Sequence, residues 1–133
     1  MVAIFSNPRL VREDTNQGGG ETVILNHLIF EQGKAVMNPK SFKELDEVVA
    51  MMKESPKVEI QLEGHTDNQG NVDSNFKLSQ ARVEAVKKYI TSKGINKSRV
   101  NTKAFGGFQP IARENTEEAR SKNRRVEMRV LRD

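Results

Sequence analysis

Apolar and polar residues alternate along this chain with two different periods, and the switch from one to the other marks out the elements. Val58, Ile60 and Leu62 interleave with Glu59, Gln61 and Glu63, the period-two pattern of a strand with one buried face. Val100, Thr102 and Ala104 repeat that spacing, and Val126, Met128 and Val130 alternate with Glu127, Arg129 and Leu131 as a closing strand. The β-branched and apolar run Val23–Phe30 reads as an opening strand. Between these lie helical patterns. Phe42, Leu45, Val49 and Met52 recur at steps of three and four behind Asn38-Pro39, with Ser41 and Glu44 as an alternative capping box. Ser55-Pro56 stops that helix. A second helix is expected from about Asp73 to Ser92, with Phe76, Val83, Val86 and Ile90 as its core stripe and Gly94 as its C-cap. Thr116-Glu117-Glu118-Ala119 opens a short third helix, its acids in the first turn.

Strands alternating with helices give an α/β sandwich of order β-α-β-α-β-(short α)-β. About four strands should form one mixed sheet with helices packed on one face. Residues 1–21, polar from Ser6 onward and ending in Gly18-Gly19-Gly20 before Glu21, read as a flexible N-terminal arm or linker, and residues 22–133 as the domain.

Composition narrows the chemistry. The 133 residues contain no cysteine, which excludes disulfides, thiolate zinc sites and cysteine catalysis. No window reaches the roughly 20 apolar residues of a membrane span, so this segment is not expected to insert into a membrane. The apolar start, Met1–Phe5, is too short for a signal peptide. The net charge of +4 is uneven: residues 1–98 carry 13 basic and 13 acidic side chains, residues 99–133 carry 9 and 5. A basic C-terminal stretch invites a nucleic-acid reading. Against it stand Glu117, Glu118 and Glu127 beside the arginines, and few aromatics for base stacking.

The most unusual segment is Gly64-His65-Thr66-Asp67-Asn68-Gln69-Gly70, a polar loop leaving a strand and feeding a helix. One reading is a loop whose Thr and Asx side chains satisfy their own backbone. A metal reading fails for want of a third ligand near His65 and Asp67 at a helical or hairpin spacing. The following helix adds another possibility. Asn75, Leu78, Ser79 and Arg82 share one face, since seven residues turn about 700°, close to two full turns. That face brings Arg82 out near the sheet end that carries Asp67. A carboxylate takes an ammonium and a guanidinium fork takes a carboxylate, so the two would form a receptor for a zwitterionic amino-acid centre. No activated nucleophile accompanies them, and an enzyme is not expected.

These residues also resemble a known family. Gly64-His65-Thr66-Asp67, Asn75-x-x-Leu78-Ser79-x-x-Arg82, Val86-x-x-Tyr89-Ile90 and Gly94-Ile95 are similar to the C-terminal domain family of OmpA, MotB and the peptidoglycan-associated lipoprotein. Gly106, Pro110-Ile111, Asn115, Arg120 and Asn123-Arg124-Arg125-Val126-Glu127 continue the match in order, over about residues 22–132. The resemblance implies non-covalent binding of peptidoglycan through the diaminopimelate of the stem peptide. It implies a periplasmic setting, attachment to an outer-membrane or other envelope protein of a diderm bacterium, and no cofactor, metal or nucleic acid. On that pattern Asp67 and Arg82 hold the free amino-acid end, Thr66, Asn75 and Arg124 support it, and Leu78 and the backbone around Asn68 line the pocket. Gly64 and His65 shape the loop. The alternative is a module that docks other envelope proteins and keeps only a vestigial wall site.

Overall fold

The computed structural model describes residues 11–12, 22–25, 28, 30–31, 33–108, 112–113 and 116–132. In chain order the elements are β1 (Val11–Arg12), β2 (Thr22–Ile24), α1 (Phe42–Glu54), β3 (Glu59–His65), α2 (Val72–Ser92), β4 (Val100–Gly106), α3 (Glu117–Asn123) and β5 (Arg125–Arg132). The sheet runs β1-β2-β5-β3-β4. Its centre is mixed: β3 pairs with β4 in parallel and with β5 antiparallel. The fifth strand beyond the four expected is β1, where Val11 and Arg12, assigned above to a polar arm, lie against Val23 and Thr22. Gly18-Gly19-Gly20 falls outside the described residues.

Several expectations need adjustment. The opening strand is only three residues long, continued by the Leu25 N–H bonding the Val126 carbonyl at 3.0 Å. Asn26, His27 and Ile29 lie outside the described residues, as do Pro110, Ile111 and Asn115. Asn38 and Pro39 start a single 3-10 turn rather than α1 itself: the Asn38 side chain accepts the Lys40 N–H at 2.9 Å, and α1 follows from Phe42. Ser41 makes no side-chain capping bond to that helix, so the Ser41/Glu44 box does not form. Elsewhere the caps act as their residue types predict. Asn71 accepts the Ser74 N–H at 2.9 Å to open α2, and Thr116 accepts the Ala119 N–H at 3.1 Å to open α3. Gly94, at φ +102°, turns the chain out of α2.

The core is one aliphatic cluster. Leu45, Val48 and Met52 of α1 and Val83, Val86 and Ile90 of α2 are closed off from solvent together with Ile60, Leu62, Val126 and Met128 of the sheet. Each such side chain contributes about 1.5–3 kcal/mol by its removal from water. Phe76 is the exception. Expected in the core stripe, it is 40% exposed: its backbone lies against Gly106, the last residue of β4, and Val72 one turn earlier is exposed as well. Phe42 stacks on Tyr89, with ring centroids 4.6 Å apart, and joins the two long helices.

The opposite sheet face carries charge, yet part of it is also buried. Glu63 of β3 receives the Arg129 Nε–H at 3.1 Å, and Glu127 pairs with Arg125. Both glutamates and His65 are almost fully enclosed. Arg99, directly before β4, donates to the carbonyls of Met52, Ser55 and Val58 at 2.8–2.9 Å. It thereby satisfies the C-terminal end of α1 with a cation, where the helix dipole favours one. The basic excess of residues 99–133 is thus largely committed to the protein's own carboxylates and carbonyls.

Candidate functional site

Parallel pairing sends the ends of β3 and β4 to the same edge of the sheet, and β5 starts there too. The loop Thr66–Gly70 therefore emerges beside the β4 turn and the residue that precedes β5. Two glycines make this convergence physically possible. A Cβ at Gly64 would lie 2.6 Å from the Ser79 carbonyl oxygen, and one at Gly107 would lie 2.6 Å from the Asp67 carbonyl oxygen. A register shift at Gly64/His65, where β4 carries one extra residue, turns the strand end at this point. Ser79 of α2 closes the joint: its Oγ accepts the Gly106 N–H at 3.1 Å and donates to the Phe76 carbonyl at 2.8 Å.

The loop is held by its own polar side chains and by α2. Thr66 is buried; its N–H bonds the Gly106 carbonyl at 2.8 Å and its hydroxyl donates to the Asp67 carbonyl at 2.9 Å. Asn75 Nδ2 donates to the carbonyl of Gln69 at 2.8 Å and, more weakly, to that of Asp67 at 3.4 Å. Asp67 Oδ1 accepts the Gln69 N–H at 3.0 Å, an Asx-type closure. The satisfied-loop reading and the receptor reading therefore describe the same atoms. The backbone is satisfied, and the Asp67 carboxylate still faces a cleft.

That cleft has a volume of about 760 Å³. Thr66, Asp67, Asn75, Leu78, Arg82 and Arg124 all line it, so six of the seven anticipated contacts converge. Asn68 does not; it is exposed, its Oδ1 accepting Gln69 Nε2 at 3.3 Å, and Gln69 lines the cleft in its stead. Gly64 and His65 sit beneath the loop. His65 stacks face to face on Phe105 with centroids 4.9 Å apart.

The two arginines are held in different ways. Arg82 is buried, donating from Nε to the Lys34 carbonyl at 3.0 Å and from Nη2 to the Glu31 carbonyl at 3.4 Å, over the face of Phe30. It ties the chain around residues 31–34 to α2 as well as facing the cleft. Burial lowers the guanidinium pKa, Arg124 lowers it further, and Asp67 opposes them. Arg124, directly before β5, bridges two carboxylates: Nη1 meets Asp67 Oδ2 at 2.7 Å and Nη2 meets Glu117. The Glu117 hydrogen bond, set against desolvation and joined by Asp67, raises the Arg124 pKa. Asn123, the residue before Arg124, makes a reciprocal pair with Ala112, accepting its N–H at 3.0 Å and donating to its carbonyl at 2.8 Å.

Leu28, Phe30, Gly33, Gln69, Glu117 and Ser121 complete the cleft, and the linear sequence marks none of them as a ligand contact. A signal for Glu117 does exist: it precedes Arg124 by seven residues across a helix, which places both on one side. Glu63, His65 and Glu127 bring one ligand-type atom each within 4.8 Å of one another. Both carboxylates are already paired with arginines. Among the described residues, no helix is long and apolar enough to cross a membrane.

Known proteins share both the sequence pattern and the fold. Residues 29–124 match the OmpA family. The chain is 35% identical over 112 residues to the probable lipoprotein YiaD of Escherichia coli, covering 82% of this chain and 51% of YiaD. It is 33% identical over 103 residues to the peptidoglycan-binding protein ArfA of Mycobacterium tuberculosis, covering 77% of this chain and 32% of ArfA. The chain thus spans about half or less of the length of these relatives. The cell wall anchor of the type VI secretion system from Pseudomonas aeruginosa shares the fold, with a TM-score of 0.71, 24% identity, and 85% and 80% of the two chains aligned.

Proposed function

Because the chain belongs to the OmpA family, we propose that it is a non-catalytic module that binds peptidoglycan and anchors a larger envelope protein to the cell wall in the periplasm. The ligand is the free amino-acid centre of diaminopimelate in the stem peptide. The observation that carries this reading is the meeting of Asp67, Arg82 and Arg124 around one cleft. A zwitterion needs an anion and a cationic fork a few ångströms apart. Asp67 takes the ammonium, and the two guanidinium groups take the carboxylate. Thr66 and Asn75 hold the loop backbone in place, so the carboxylate is oriented before the ligand arrives. Leu78 and Phe30 give the side-chain methylenes an apolar wall. Each charge-assisted bond contributes about 1.5–3 kcal/mol, so a single site binds modestly and many sites on one wall act together.

A second reading, docking to another envelope protein, draws on a different surface. Val72, Phe76 and Phe108 are 56%, 40% and 68% exposed, and Gly106 approaches Phe76 closely. Co-sedimentation with purified cell-wall sacculi separates the two. Wild-type protein should pellet with diaminopimelate-containing sacculi, and Asp67→Ala should stay in the supernatant with its circular dichroism unchanged. Equal pelleting of both proteins would overturn the cleft as the wall site and favour docking.

A further inference from the structure

Both oxygens of the carboxylate assigned to the ligand's ammonium are already engaged. Asp67 Oδ1 holds the Gln69 N–H at 3.0 Å, and Oδ2 holds Arg124 Nη1 at 2.7 Å. The second of these partners is itself a cation. It competes for the same oxygen with the same sign of charge as the ammonium it would have to admit.

Arg124 can yield where Arg82 cannot. Arg82 is 8% exposed and tied to backbone carbonyls. The Arg124 side chain is 35% exposed, and its other fork arm rests on Glu117, whose own side chain is 68% exposed. The Arg124 backbone stays fixed by its N–H on the Arg120 carbonyl at 3.1 Å, so the guanidinium turns about a stationary base. Glu117 is held in turn by its place in the first turn of α3 and by Arg120 Nε at 3.5 Å.

Resting on the wall-binding reading above, we infer that Arg124 is an internal competitor for Asp67. An entering ammonium displaces it, and Glu117 is the residue that receives it and so sets how readily the cleft opens. The exchange conserves charge at Asp67, one cation replacing another. The freed guanidinium arm then meets the ligand's carboxylate beside Arg82. A zwitterion is therefore compensated at both ends for the displacement, whereas an amine whose neighbouring carboxyl is amidated must displace Arg124 and gains nothing from it. Arg124 becomes the specificity-determining residue, and Glu117 sets how readily it moves, although Glu117 need not touch the ligand.

Calorimetric titration with two synthetic stem peptides tests this. One carries the free zwitterionic centre of diaminopimelate, and the other has that carboxyl amidated. Arg124→Met should weaken the zwitterionic peptide by about tenfold, the worth of one charge-assisted hydrogen bond, and bind the amidated peptide more tightly than wild type does. Glu117→Gln should weaken both peptides severalfold by leaving Arg124 on Asp67, and should have no effect in the Arg124→Met background. Parallel weakening of both peptides by Arg124→Met, or an equal Glu117→Gln effect in both backgrounds, would overturn the competition. Binding of neither peptide by wild type would instead remove the wall-binding reading, and the competition with it.

Discussion

Gly64 passes so close beneath α2 that a side chain there would press on Ser79: a Cβ would lie 2.6 Å from the Ser79 carbonyl oxygen and 2.8 Å from Val83 Cγ1. Its φ is not positive, so the need for glycine is one of space and not of backbone freedom. Gly64→Ala must push α2 off the sheet or bend β3, and the expected loss is about 1–3 kcal/mol, the usual cost of overpacking a closed core. Urea denaturation measures it; an unchanged midpoint would show that the helix moves freely. Gly107→Ala meets the Asp67 carbonyl at the same 2.6 Å but at the loop, so sacculus binding should fall by more than stability does.

Arg82 has a structural duty beside its proposed role in binding, and its replacement should reveal both. Arg82→Met leaves the Lys34 and Glu31 carbonyls without their donor, and stability should drop by about 1–3 kcal/mol as well as binding being lost. Arg82→Lys keeps the charge over Phe30, but a point-like ammonium does not span both carbonyls. It should recover part of the stability and little of the binding. Hydrogen exchange at residues 33–37 should accelerate in both variants. Protection equal to wild type in Arg82→Met would refute the tether.

Tyr89 gives a pH prediction with a clean readout. Its hydroxyl donates to Asp46 Oδ1 at 2.6 Å, and that bond, then burial, then the Asp46 charge raise the phenol pKa from 10.0 to about 12. The folded state thus favours the neutral form. The stability gained is fully present below pH 10.0 and is lost as the pH rises through about 12. The chain has one tyrosine and no tryptophan, so phenolate absorbance reports this group alone. A titration midpoint near 12 is expected, moving back toward 10.0 in Asp46→Asn; a native midpoint already at 10.0 would contradict the contact.

Local signals were legible wherever the physics is local. The alternation at Val58–Glu63 gives β3, and Asn71 and Thr116 have the side chains that N-caps require. Helical spacing likewise brings Asn75, Leu78 and Arg82 to one cleft wall. Phe76 misleads because periodicity records which face of a helix is apolar, not how far the sheet beneath it extends. Leu28 misleads in a similar way: it belongs to the apolar run yet stands outside β2, since such a run does not say which of its residues find a ladder partner. The Asp67–Arg124 pair was the least legible contact as a pair. Its members are 57 residues apart, and only the parallel crossover through α2 and the return through β5 bring them together. Spacing alone suggested Arg82 as the partner of Asp67, whereas the shortest contact belongs to an arginine whose role came from family resemblance.

The charges around the cleft, Asp67 and Glu117 against Arg82 and Arg124, cancel. From more than a Debye length away, about 8–10 Å at ordinary ionic strength, such a site presents almost no field of its own. Capture of a small zwitterion therefore gains little from long-range steering, and its association rate should be nearly indifferent to salt. In a module facing a dense polymer this costs little, because the mesh itself supplies a high local concentration of sites. Fluctuating ion levels would then leave the rate of engagement alone, and residence time would be governed by short-range geometry inside the cleft.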